Sequence, residues 1–300
     1  MTRIYDTGSF VTDGGLETDL LFNHGVDLPE FAAFPLAGTD EGRALLTRYY
    51  TAYADVARRA SAGLALEAPT WRANPDWGTR LGYDAAALDR ANRLAVEAVH
   101  TVRDANTDLV DVVVSGSVGP RGDGYVAADV HAAEDYADYH EPQIASFRSA
   151  GADVATAMTM THVAEAVGVV TAARSVGIPV VVMFTVETDG RLPDGTPLAD
   201  AVEQTDAAGG PDWFGVNCAH PDHLAAGLTE GAWRDRLVVV RPNASRLSHA
   251  ELDEAEELDD GNPAELSADL DALRVRLPAV RVVGGCCGTD VRHVASMWGV

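Results

Sequence analysis

The chain has 300 residues, enough for one large α/β domain, and 47% of them are hydrophobic, ample material for a core. Its 22 basic residues, all arginine, face 46 acidic ones, and the net charge of −24 repels nucleic acid and anionic membrane, so neither is expected as a partner. No stretch approaches the roughly 20 apolar residues of a membrane span, and residues 1–6 lack a signal-peptide core, so a cytoplasmic location is expected.

In chain order, short apolar runs fall at residues 10–12, 64–66, 110–114, 152–157, 179–184, 213–216, 237–240 and 281–283. Val-rich runs without apolar/polar alternation predict strands buried on both faces of a parallel sheet. Between them, residues 41–62, 84–106, 134–150 and 164–175 carry helical apolar spacing. Thr39 and Asp84 stand where caps belong, and Gly63, Gly151 and Gly177 fall where helices should stop. Eight strand–helix alternations predict a (β/α)8 TIM barrel, with an open doubly wound sheet as the alternative. No linker divides the chain, so residues 1–300 are expected to form a single domain. The most irregular stretch is 243–263, and its acidic run 251–260 reads as a solvated helix or loop. The acidity as a whole reads as the hydrated surface of a halophile's cytoplasmic protein, soluble in concentrated salt.

All three cysteines sit at predicted strand ends: Cys218 closes the sixth run, and Cys286 and Cys287 follow the eighth in Gly284-Gly285-Cys286-Cys287-Gly288-Thr289. Active sites of α/β folds are built at such ends. Three thiolates could make an open zinc site with a fourth position for water or substrate. Equally, the thiols could be small buried hydrophobes. A disulfide is not expected, because adjacent cysteines pair only with strain and an odd count leaves one over. Gly284, Gly285 and Gly288 would allow the sharp bend that brings two consecutive residues to one metal.

Together with Asp13-Gly14-Gly15-Leu16-Glu17-Thr18-Asp19-Leu20, Gly116-Ser117-Val118-Gly119-Pro120 and Gly215-Val216-Asn217-Cys218, the cysteine motif resembles the homocysteine S-methyltransferase family. The likeness runs over roughly residues 9 to 297, with the motifs in the family's order. It implies a zinc-dependent barrel enzyme that methylates a thiol, with Cys218, Cys286 and Cys287 as the zinc ligands. It also implies homocysteine as acceptor, methionine as product, and an onium donor: S-methylmethionine, S-adenosylmethionine or a betaine-type compound.

A barrel mouth would also collect candidate substrate-binding residues. Asp13 matches a family aspartate close to the thiol substrate, and Asn217 could orient a ligand thiolate or simply make a turn. Ser117 and the backbone of residues 116–120 could offer N–H groups. Trp71, with Arg72, Asn74 and Trp77, could present an aromatic face to an onium ion or pack the rim. His220 is a minor candidate for the metal, and the other histidines read as packing or surface residues. Where the family carries a glutamate for the amino group of homocysteine, this chain has Met158, which cannot balance an ammonium charge. Glu67 and Glu187 are the carboxylates expected to replace it; otherwise the acceptor is a different thiol. No Ser/His/Asp or paired-carboxylate constellation is evident, which suits a reaction needing alignment more than acid–base work. The rival classes are a zinc hydrolase of the same fold and a zinc-binding barrel without catalysis.

Overall fold

The computed structural model describes residues 4–127, 130–255 and 257–300. Met1 to Arg3, and Glu256 of the acidic run, lie outside the described residues. Eight strands form the centre: β1 (Phe10–Thr12), β2 (Gly63–Ala68), β3 (Val112–Val118), β4 (Val154–Met160), β5 (Val180–Phe184), β6 (Trp213–Asn217), β7 (Leu237–Arg241) and β8 (Val282–Val283). Each pairs in parallel with the next, and β8 returns to β1, so the ring closes as a (β/α)8 barrel. A main helix follows each strand: α1 (Asp40–Ala60), α2 (Ala85–Ala105), α3 (Ala133–Ala150), α4 (Val163–Val176), α5 (Leu198–Ala207), α6 (Pro221–Gly227), α7 (Pro263–Arg274) and α8 (Val291–Met297), with short extra helices such as Pro75–Arg80 and His249–Asp253 in the loops. None of the described helices is long and apolar enough to cross a membrane.

Successive strand residues face opposite sides, and the two sides have different partners. Ala65, Val113, Val181, Met183 and Val239 pack together with Tyr5, Phe10 and Trp213, and the Tyr5 ring meets Phe10 and Trp213 edge-on, both at 5.1 Å. Leu64, Leu66, Val114, Val182 and Val240 instead pack with helix residues such as Leu46, Tyr50, Val99, Phe147 and Val169. On α1, Leu46, Tyr50, Tyr53 and Ala57 recur at helical spacing and are buried. The Tyr50 hydroxyl donates to the Glu67 carbonyl at 2.6 Å, which pins α1 to β2 just where β2 enters the site.

Thr39 and Asp84 cap α1 and α2 as expected, accepting from the N–H groups of Gly42 and Ala87; each cap contributes about 1 kcal/mol. Gly151 and Gly177 end α3 and α4 in the left-handed region. Gly63 does not stop α1. Ser61 does, at φ +53°, and Gly63 opens β2, where a Cβ would stand 2.5 Å from the Phe10 ring. Val110 lies outside β3 and is 79% exposed, whereas β3 and β4 run further than their apolar runs predict. Ser115, Ser117, Met158 and Thr159 are therefore strand residues rather than loop residues.

Candidate functional site

The C-terminal mouth of the barrel holds a cavity of about 370 Å³ lined by Asp13, Glu67, Trp71, Ser117, Asn217 and the three cysteines, among others. Eight of the nine predicted binding and ligand positions, on or just after β1, β2, β3, β6 and β8, are thus brought together. The three Sγ atoms lie within 4.8 Å of one another, and no other His, Cys, Asp or Glu ligand joins their group among the described residues. Cys218 and Cys286 are joined in a disulfide, with Cα atoms 5.3 Å apart, and the Cys287 sulfur lies 3.7 Å from that of Cys218. The expectation of no disulfide considered the strained adjacent pair; the bond instead links the residues just after β6 and β8, the two strands that flank β7. A disulfide and a metal are competing states of one cluster, since metal binding needs free thiolates. Three soft sulfur donors with no fourth protein ligand are a set that suits zinc with one position open.

The chain reaches this geometry through close backbone approaches. A Cβ at Gly284 would stand 2.5 Å from the Asp13 carbonyl oxygen, and one at Gly285 would stand 2.0 Å from the Thr289 hydroxyl. Of the three glycines around the pair, only Gly288 has left-handed backbone, at φ +78°, so Gly284 and Gly285 serve proximity rather than dihedral freedom. Cys218 itself is left-handed at φ +54°, as is Thr159 at φ +62°. Asn217 braces that region. Its Oδ1 accepts from the Thr159 N–H at 2.7 Å, its Nδ2 donates to the Thr159 hydroxyl at 2.9 Å, and the same Nδ2 lies 3.7 Å from the Cys286 sulfur.

The electrostatics centre on a residue the sequence reading missed. Arg241, at the end of β7, is buried and pairs with Asp13 at 2.8 Å. Asp13 Oδ2 also accepts from the Tyr49 hydroxyl at 3.3 Å, so the aspartate is anchored into the frame as well as facing the cavity. Burial pushes the Asp13 carboxyl up while Arg241 pulls it back down. The Glu67 carboxyl is raised by burial too, against the pull of Arg241, and it accepts from the Ser117 hydroxyl at 3.3 Å. Glu17, also facing the cavity, is pushed up to about 7 by removal from water.

Glu187 does not line the cavity. Its N–H is taken up by the Arg191 carbonyl in a turn after β5, and its carboxylate meets His249 Nδ1 at 2.8 Å. His249 is more than a packing residue. Its Nε2 contacts the Cys218 carbonyl at 2.7 Å, and its ring stacks on Tyr125 at 4.1 Å. The Tyr125 hydroxyl in turn donates to the Cys287 sulfur at 3.4 Å. His220 is not among the cavity residues: it caps α6 by accepting from the Asp222 N–H. Trp71 lines the cavity, but the Arg72 guanidinium sits 4.8 Å from its ring centre and 3.6 Å from that of Trp77. A resident cation therefore covers a face expected to be open to an onium ion. The N–H of Gly119 is spent on the Trp71 carbonyl, so the 116–120 backbone offers less than expected. The acidic stretch is largely exposed, as expected, and Leu252, Asp253 and residues 257–259 of it also reach the cavity.

A closed parallel barrel with a cysteine cluster, a buried ion pair and a second buried carboxylate at its C-terminal mouth has the architecture of a barrel enzyme. The chain matches the homocysteine S-methyltransferase family over residues 10–298 and belongs to that family. It is 28% identical over 271 residues to the homocysteine S-methyltransferase of Escherichia coli (strain K12), covering 80% of each chain. It is 24% identical over 264 residues to the homocysteine S-methyltransferase YbgG of Bacillus subtilis (strain 168), covering 83% of this chain and 79% of that one. Among solved structures, the homocysteine methyltransferase MmuM of Escherichia coli in its metallated form superposes with a TM-score of 0.74 at 22% identity, over 98% of this chain and 96% of that one. Its oxidized form gives 0.77 at 23% identity.

Proposed function

We propose that this chain is a zinc-dependent thiol S-methyltransferase that moves a methyl group from an onium donor to homocysteine, giving methionine. We also take residues 1–300 to act as one barrel domain. The observation that carries the reading is the convergence of three sulfurs at the wall of a mouth cavity, in a chain of this family. Cys218, Cys286 and Cys287 would hold the metal, and a zinc ion bound there supplies the Lewis acidity that keeps an acceptor thiol deprotonated near neutral pH.

The protein's own groups do the positioning. Glu67, steadied by Ser117, would take the acceptor's ammonium group, replacing a carboxylate at position 158. Asn217 fixes the backbone at Thr159 and lies beside Cys286, and the Tyr125 hydroxyl lies beside Cys287, so two ligand sulfurs have oriented polar neighbours. The acceptor's sulfur lone pair then attacks the methyl carbon in line as the methyl–onium bond breaks, and the donor leaves neutral. Alignment in a walled cavity is the main demand of such a transfer. S-methylmethionine, S-adenosylmethionine and betaine-type donors are the candidates. Incubating zinc-loaded protein with homocysteine and each donor, with product mass spectrometry, tests the reading; methionine from none of them overturns it.

A further inference from the structure

Arg241 is 4% exposed, yet its guanidinium is only partly satisfied. Nε donates to the Gly285 carbonyl at 2.9 Å. Nη2 donates to Asp13 Oδ1 at 2.8 Å and to the carbonyls of Gly14 at 3.1 Å and Asp13 at 3.3 Å. Among the described residues, Nη1 meets only the Sδ of Met158, at 4.0 Å. A thioether is a weak acceptor, and a buried charged donor left without an oxygen is costly. Both Arg241 and Met158 line the cavity that also holds the three cysteines. The thiols are close along the backbone as well: Arg241 pairs with Asn217 in the sheet, and its carbonyl accepts from the Cys218 N–H at 3.1 Å.

We propose that Arg241 Nη1 is the seat of the acceptor's carboxylate, so that the enzyme selects short thiols bearing a carboxylate, with the acid held on the Met158 side and any ammonium on the Glu67 side. This rests on the mouth being the thiol-acceptor site. A single nitrogen without an oxygen partner suits one carboxylate oxygen, since Asp13 already holds Nη2. A dianion such as a phosphate fits poorly beside Asp13, Glu17 and Glu67 in the same cavity. Met158 is what keeps the seat open. A carboxylate at that position would pair with Nη1 internally and close it, leaving the Asp13–Arg241 pair untouched.

The test is calorimetric binding to the zinc-loaded protein of homocysteine, 4-mercaptobutanoate, 3-aminopropane-1-thiol and sulfur-free butanoate. In the unmodified protein, removing the carboxylate should weaken thiol binding by about tenfold or more, the ordinary worth of a charge-assisted hydrogen bond. In Met158→Glu that preference should shrink to about threefold or less, with 3-aminopropane-1-thiol binding at least as well as before. Arg241→Gln should erase the preference too, but it strands Asp13, so Met158→Glu is the variant that keeps the frame intact. Equal binding of all three thiols, or a preference that survives in Met158→Glu, overturns the assignment. If no thiol binds but butanoate does, and only with Met158 in place, the carboxylate seat stands and the thiol reading falls.

Discussion

Replacing Asn217 with Ala removes the brace behind the cysteine cluster, and its cost can be worked from the structure. Asn217 is fully buried and makes two hydrogen bonds to one residue, to the Thr159 N–H and to its hydroxyl. Thr159 is itself 1% exposed, so both groups would be stranded away from water. Each stranded group costs about 1–3 kcal/mol, which sets the loss for Asn217→Ala at about 2–6 kcal/mol. The backbone there is also strained. Thr159 is β-branched and sits at φ +62°, a conformation worth about 1–3 kcal/mol of strain that persists only while its surroundings enforce it. Glycine at 159 has no hydroxyl to strand and no penalty at that dihedral. Asn217→Ala should therefore cost about 1–2 kcal/mol less in a Thr159→Gly background than alone, a coupling of ordinary size for touching residues. Urea unfolding of the two single variants and the double, followed by fluorescence at constant slope, reads the coupling directly. Equal costs in both backgrounds would show that the amide does not brace Thr159 and would refute the reasoning.

Changing any one of Cys218, Cys286 and Cys287 to Ala should sharply lower zinc content and methyl transfer while the circular dichroism of the barrel persists; full stoichiometric zinc in the triple variant would defeat the ligand set. Glu67→Gln should weaken acceptor binding by about 1.5–3 kcal/mol, whereas Glu187→Gln, which removes only a partner of His249, should leave it within about twofold; titration calorimetry separates the two, and the reverse order would count against Glu67. With two dozen uncompensated negative charges, the fold should lose stability as salt is withdrawn and screening lengthens; a melting temperature unchanged between dilute and molar salt would reject that origin for the acidity.

The barrel was legible because each strand is buried on both faces and so reads as an unbroken apolar run, which leaves little room for other assignments. The cysteines were legible for a related reason: strand ends are fixed by those runs, and all three thiols stand at them. What escaped is what depends on register and on loop paths. Nothing local marks Arg241, the last residue of a Val-rich strand, as reaching across to Asp13 from the start of the chain; that contact exists only because β8 closes the ring between them. Tyr125 comes from an irregular loop and His249 opens a five-residue helix, and no periodicity encodes the path of either, yet they stack on each other beside the cluster. Glu187 was misread because the turn after β5 carries it outward. Met158, by contrast, was singled out for the carboxylate it lacks, and it stands beside the free edge of Arg241.

The shortest strand carries an outsized dependence. β8 has two residues, and it alone joins β7 to β1. Cys218 and Cys286 are separated by 68 positions and approach only when that short strand is seated. A chain with β8 unseated keeps Cys218 apart from the Cys286–Cys287 pair, unable to complete the three-sulfur cluster or to cross-link across it. Sulfhydryl proximity is therefore a clock for the seating of β8: during refolding, the moment Cys218 and Cys286 first protect one another from alkylation marks β8 docking on β7.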